Sequence, residues 1–510
     1  MARRLSPVRS SWRGHPARNM RVALTMAGAL ALLGALTLPA RGATGPRKLG
    51  FGTPQYVDFE LAGGEPEAIA TTHGTLVYTA HEGTTHLFRD GVFGAPQGDQ
   101  DFITNYRNQV NIWYSGDDGV NWQRVNYQDS GFFTAPYYNT GFSDPDLTLD
   151  EAGNLYDTGI DLANDALFSS ADGGVTWPTG TINCHDGDRP WLAGGKANEV
   201  FLATDAVEES GSGHEVFQST DAGASCGLTG IPDHGDGPNG TTFSGDGKLY
   251  YNHVNGSPLN GALVEPAYFN FPDGRFGLGV SVLPNASQAF TTGGQFTPHI
   301  AVSNTSMLAH WPAIAIDSSG TIYLVWDTSP RLPGTSGGCA GAETPAANSI
   351  MLTYSKDGGT TWAKPATVAH PGTTVLWPWM TAGSAGNVGI TWYQYDRITD
   401  PDCGTGDVRV YEASLFNAAS AKRVEYLVNA SGRVIHQGGI CQGGTTCVAT
   451  GQDRRLGDYL TVATDPNGCV IIATGDTMLT DPATGGPLPT ARPLFIKQNA
   501  GTSLTGKTCG

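Results

Sequence analysis

One eight-residue pattern recurs along the chain and limits its architecture more than any other feature. Ser355 to Trp362 reads Ser-Lys-Asp-Gly-Gly-Thr-Thr-Trp, and Ser170 to Trp177 repeats it as Ser-Ala-Asp-Gly-Gly-Val-Thr-Trp. Ser115 to Trp122 differs in having Asn for the second Thr, and Ser219 to Cys226 keeps Ser, Asp and Gly but ends in Cys. The Asp accepts hydrogen bonds from N–H groups just downstream and closes a turn. The following Gly takes a positive φ without a Cβ clash, and the Trp returns a large ring to the sheet. A turn that recurs over several hundred residues signals a repeat architecture.

A second repeat is interleaved with the first. Its unit is a polar or aromatic start, often with Pro, then an apolar strand, a Gly-containing turn and a second apolar strand. Seven copies are expected. They run from Glu65 to Tyr78, Asp144 to Tyr156, Asp188 to Leu202, Asn239 to Tyr251, His310 to Trp326, Trp377 to Trp392 and Gly457 to Ile472. The eight-residue turns follow the first, second, third and fifth copies. Strand–strand–strand–turn–strand is the unit of a propeller blade. The expected fold is all-β, a propeller of four-stranded antiparallel blades, seven favoured and six the alternative. Phe51 to Phe59 is expected to add a strand to the last blade and close the ring, which removes a sheet edge.

The eight-residue turn resembles the Asp-box, or BNR repeat, of the sialidase superfamily. That resemblance implies a β-propeller with each box joining the third and fourth strands of a blade. It also implies a reaction: three Arg hold the sialic carboxylate, Glu activates a Tyr nucleophile, and an Asp serves as acid/base. This chain departs from the pattern at its first blade, where Glu65-Pro66-Glu67-Ala68-Ile69 stands in place of Arg-Ile-Pro.

Residues 1–43 read as a secretory signal peptide, with a basic start, an apolar run from Val22 to Leu38 and a small-residue end. Residues 44–510 are expected to form a single propeller domain. The first 43 residues hold 7 of the 29 Lys+Arg and none of the 47 Asp+Glu, so the remainder carries 22 − 47 = −25. Such a surface repels nucleic acid and anionic membranes. The eight Cys point to disulfides in an exported protein. The pairs considered are Cys441–Cys447, Cys469–Cys509, Cys339–Cys403 and Cys184–Cys226. A secreted or cell-surface monomer is expected, with no membrane contact after cleavage and an extracellular glycan or glycoprotein as its partner.

Antiparallel connections alternate between the two faces of a blade, so the boxes mark one face. The entries to the inner strands and the second-to-third strand connections lie on the other. Insertions are expected on that face at 80–109, 255–298, 327–347 and 396–407, and long loops on a rigid scaffold are where sites form. The inner-strand starts there include Glu65, Asp144, Asp188, Arg189, His310 and Asp458. Tyr459 is the candidate nucleophile and Glu67 its partner, with Asp146 and Asp188 as further catalytic carboxyls. Arg189, Arg455 and Arg454 are candidates for binding an anionic substrate, Arg107 for a third clamp residue, and Trp311, Trp377 and Trp379 for sugar platforms. No cofactor is required by this chemistry. Calcium is possible at Asp396, Asp400, Asp402 and Asp407. The readings left open are an exo-glycosidase of sialidase type, a propeller that binds glycan or protein without catalysis, and a calcium-holding surface protein.

Overall fold

The computed structural model describes residues 48–83, 110–125, 141, 143–161, 164–185, 187–206, 213–308, 310–329, 345–444, 447 and 451–510. Alternation along its strands explains the architecture. Leu76, Tyr78 and Ala80 pack on one side against Ile471 and Phe495, while Val77, between them, packs on the other against Leu147 and Phe168. Successive side chains leave opposite faces of a strand. A sheet that is apolar on both faces needs a neighbour on each side, and a ring of sheets supplies both.

Seven antiparallel sheets result. Blade 1 contains Glu67–Ala70, Leu76–Ala80, Asn111–Ser115 and Gln123–Arg124. Blade 2 contains Leu147–Leu149, Leu155–Asp161, Asn164–Ser170 and Thr179–His185. Blade 3 contains Trp191–Gly194, Val200–Ala206, Gly213–Ser219 and Ile231–Pro232. Blade 5 contains Ala313–Ile316, Ile322–Asp327, Ile350–Ser355 and Ala366–Ala369. Blade 6 contains Val375–Ala382, Val388–Tyr395, Asp407–Phe416 and Val424–Asn429. Blade 7 contains Thr461–Thr464, Val470–Asp476 and Arg492–Thr502, and Gly50–Phe51 from the start of the chain supplies its outer strand. The closing strand expected near Phe51 is therefore present, and Gln55–Tyr56 extends it.

Blade 4 departs from the expected pattern. The sequence pattern of Asn239 to Tyr251 predicts two strands around a turn. In the structure Thr242–Gly245 and Tyr250–Tyr251 both pair with one strand, Leu263–Asn270, and so run in the same direction. The stretch 255–298 is not a loop insertion. It holds Leu263–Asn270, Phe276–Leu283 and the short helix Ala286–Thr292. Leu263–Asn270 spans both inner segments, and Phe276–Leu283 pairs along its whole length. The expected insertions at 80–109 and 327–347 lie largely outside the described residues, whereas 396–407 is the connection between the second and third strands of blade 6.

The four eight-residue turns share one hydrogen-bond pattern. In the copy at 355–362, Ser355 donates to Asp357 at 2.8 Å, the Gly359 N–H donates to Ser355 Oγ at 2.9 Å, and the Thr361 N–H donates to Asp357 at 2.8 Å. Gly119, Gly174, Gly223 and Gly359 all have φ between 78° and 87°. In the third copy, which lacks Trp, Cys226 forms a disulfide with Cys184 at the end of the preceding blade. Cys441–Cys447 and Cys469–Cys509 are also paired. Cys403 is disulfide-bonded, and its expected partner Cys339 lies outside the described residues.

Candidate functional site

Four blades enter the centre through the same strained step. Glu65, Asp144, Arg189 and Trp377 each precede a Pro, and each has a positive φ, 46°, 51°, 57° and 55°. A residue before Pro ordinarily adopts extended backbone, and non-Gly residues in the left-handed region cost of order 1–3 kcal/mol each. Gly247 and Gly457 make the corresponding step in blades 4 and 7. In these four blades, and after Gly457 in blade 7, the side chain two residues on is buried at the centre: Glu67, Asp146, Trp191, Trp379 and Tyr459.

The inward side chains fill the channel. Trp191, Trp311, Trp379 and Tyr459 form one cluster with ring centroids 5.0 to 6.2 Å apart. Beside them, Lys248 of blade 4 reaches across to Asp146 at 2.6 Å and Glu67 at 3.3 Å, and donates to the Leu147 carbonyl at 2.6 Å. Asp146 also accepts from the Leu192 N–H and Glu67 from the Leu147 N–H, each at 2.6 Å. Burial, with Glu67 alongside, pushes the Asp146 carboxyl well up. Burial opposes the Lys248 charge, yet Asp146 and Glu67 hold it above its ordinary range. Each of the seven blades thus contributes one side chain to a hub. The Tyr459 hydroxyl donates to the Pro145 carbonyl at 2.8 Å and joins the aromatic half to the ionic half.

A carboxyl-rich mouth lies around the hub on the face opposite the eight-residue turns. Ser143 Oγ lies 2.9 Å from Glu65 and 2.8 Å from Asp144 and shares its one proton between hydrogen bonds to them, so these two carboxyls face one another across one hydroxyl. Burial and the adjacent Glu65 push Asp144 well above the usual carboxylate range. Burial and Asp458 raise Glu65 as well. Asp458 is moved the other way. Burial opposes its charge, but the Arg454 guanidinium grips it at 2.6 Å through both nitrogens, His310 stands at 3.2 Å, and together they hold it well below. Asp188 is exposed at the mouth, where its crowded surroundings and Asp144 raise it to about 6.

The mouth's basic groups are engaged. Arg189 binds Asp246 at 2.7 Å, approaches Asp205 at 3.7 Å and lies 5.3 Å over the Trp311 ring. Arg454 binds Asp458 and reaches Glu65 at 3.6 Å. Arg455, its neighbour in sequence, points elsewhere and is forked onto Asp453. Of the predicted site residues, the structure brings Asp188, Arg189 and Arg454 to the mouth, with Trp311 beneath Arg189. It places Glu67, Asp146, Trp379 and Tyr459 in the hub, and Arg455 outside both. The expected platforms Trp311, Trp377 and Trp379 are only 5, 3 and 4 % exposed. Arg107 lies outside the described residues.

No family model matches the chain, and no curated protein matches it. Solved structures similar in fold share few residues with it. A protein of unknown function from Dyadobacter fermentans is 13 % identical over 89 % of this chain and 100 % of its own, at a TM-score of 0.43. A polysaccharide lyase of family PL25, an ulvan lyase, is 11 % identical over 84 % of this chain and 93 % of its own, at 0.44. The NanB sialidase of Streptococcus pneumoniae is 12 % identical over 88 % of this chain and 70 % of its own, at 0.39. Likeness at that distance does not bear on chemistry, which has to be argued from the mouth itself.

Sequence reasoning missed Lys248, Asp205, Asp246, Tyr268 and His214. Lys248 follows Gly245-Asp246-Gly247, which reads as a hairpin turn. Tyr268, on the strand Leu263–Asn270, donates to Asp246 at 2.5 Å. His214 is buried between Glu265 at 2.5 Å and Asp205 at 3.3 Å, and these carboxylates keep it protonated against the effect of burial. Among the described residues, no group of three or more His, Cys, Asp or Glu is placed to hold a metal ion. The aspartates considered for calcium serve the local backbone and nearby cations. Asp396 pairs with Arg397 and accepts from the Asp407 N–H, and Asp400 accepts from the Asp402 N–H.

Proposed function

We propose that the central mouth hydrolyses a glycosidic bond of a neutral sugar on an extracellular glycan. The observation that carries this reading is a pair of neighbouring carboxyls in unlike surroundings: Asp144 is buried against Glu65, which favours its protonated form, whereas Asp458 is gripped by Arg454, which favours its ionised form. Environments that drive two carboxyls apart assign an acid and a negative partner. Asp144 protonates the leaving oxygen. Asp458 stabilises positive charge developing on the sugar ring. Asp188, half-ionised at about 6, takes the proton of the attacking water. Tyr459, Glu67 and Asp146 hold the hub in this reading and carry no chemical step. A neutral substrate is favoured because Arg189 and Arg454 are already bound to carboxylates. The disulfides fit an oxidising compartment, in keeping with a secreted protein.

The test is release of nitrophenol from neutral glycosides (glucose, galactose, xylose, arabinose and fucose), with a fluorogenic sialoside assayed in parallel. At least one neutral glycoside should be cleaved, and Asp144→Asn should lower kcat by roughly 10²–10⁴. The rate should rise with pH through about 6 as Asp188 ionises. Turnover of the sialoside alone, or neutral turnover indifferent to Asp144→Asn, would refute the assignment.

A further inference from the structure

A second concavity opens on the same face between blades 6 and 7, separated from the mouth by the segment that carries Arg454 and Arg455. Its volume is about 590 Å3, within the roughly 300–1,000 Å3 of small-molecule sites. The 396–407 connection, the segment entering blade 7, and the connection between the second and third strands of blade 7 build its walls.

Three properties define what it accepts. Its walls include bare backbone: a Cβ added at Gly438 or Gly485 would meet nothing within 4 Å, so both border open space. Both have positive φ, 106° and 72°, which favours Gly there. Its polar side chains are held in place. Gln437 donates its amide N–H to Asp407 at 2.8 Å, and Gln452 donates to the Asp402 carbonyl at 3.1 Å, which fixes both amide planes at the wall. Met478, Leu479 and Pro487 supply an apolar side. Among the described residues, its one lining cation is committed within the protein, since Arg455 forks onto Asp453 at 2.6 to 3.1 Å and donates to the Leu488 carbonyl at 2.9 Å.

Fixed amides, exposed backbone, an apolar wall, an Arg455 paired with Asp453 and an Asp402 carboxyl that accepts from the Gln442 N–H suit a ligand with hydroxyls on its edges and C–H groups on its faces. We propose that this cavity is a binding site for a neutral oligosaccharide, distinct from the mouth and large enough for about two or three sugar rings. It does not depend on the mouth being catalytic. A glycan held here is anchored beside the mouth rather than in it.

Titration calorimetry of the full protein with cellohexaose, xylohexaose and mannohexaose tests the proposal, with 3′-sialyllactose as the anionic comparison. At least one hexasaccharide should bind, and Thr480→Trp, at an exposed position on the rim, should weaken it at least about tenfold. Met478→Trp, which fills the apolar side, should do the same with an unchanged melting temperature. Asp144→Asn should bind as the wild type does, which separates this site from the mouth. No binding by any of the three neutral hexasaccharides, equal binding after both Trp substitutions, loss of binding in Asp144→Asn, or binding of the sialylated probe alone would overturn it.

Discussion

Glu412 offers a direct test of how burial controls charge in this protein. It lies in the third strand of blade 6 and is 0 % exposed. Ser414 donates to one of its oxygens at 2.7 Å, and the other has no hydrogen-bond partner. Leu504 and Val470 crowd the space in front of Gly389, where the carboxyl lies. No cation pairs with it among the described residues, and burial pushes it up from 4.5 to about 8. The folded protein therefore keeps a proton that the unfolded chain releases above about 4.5. The contribution of the neutral carboxyl is fully present below pH 4.5 and is lost progressively as pH rises toward 8. Between 4.5 and 7 the loss covers 2.5 pH units, which at about 1.4 kcal/mol per unit is on the order of 3 kcal/mol. Glu412→Gln removes this proton and with it the slope. Melting temperatures of both proteins should be compared from pH 4.5 to 8.5. The variant should gain relative to the wild type by a few degrees across that range, whatever the offset at pH 4.5. A difference that stays constant with pH would mean that Glu412 does not bind the extra proton, and the argument from burial would fail.

Two further predictions concern the scaffold. Lys248→Met leaves two carboxyls facing each other in the hub and should cost about 3–5 kcal/mol, read from urea unfolding, with much of the loss recovered in the Glu67→Gln, Lys248→Met double variant. Replacing Cys184 and Cys226 by Ser opens a loop with a sequence separation of 42 and should cost about 4 kcal/mol by loop entropy, read from the same unfolding curves.

The sequence made legible whatever is built from neighbours in sequence. The turn at Ser355–Trp362 needs only eight consecutive residues, and its Asp and Gly signal their roles directly. The inner strands and the closing strand near Phe51 were readable because alternation is local. Blade 4 was not, because the role of Gly245-Asp246-Gly247 depends on a partner strand that starts at Leu263. The hub was hidden for a stronger version of the same reason. Lys248 meets a carboxylate 181 residues away, and no spacing rule connects them. The aromatic residues were ambiguous because a Trp at the start of an inner strand looks the same whether it stacks on a sugar or on another Trp. The mouth was half visible: Glu65, Asp144, Asp188, Arg189, His310 and Asp458 could be placed there, but which would hold a proton depends on Ser143 and Arg454 in three dimensions.

The hub also bears on how such a protein can change. Its parts are unlike one another: two carboxylates, one ammonium, three indoles and a phenol, each from a different blade. Duplicating any blade would insert a second copy of one part with no counterpart across the axis, and deleting one would remove a partner. The eight-residue turn occurs in only four of the blades, so the outer part of a blade tolerates variation, while the number and order of blades stay coupled to seven positions at the axis. A molecule assembled from repeats has in this way lost the freedom to add or shed them.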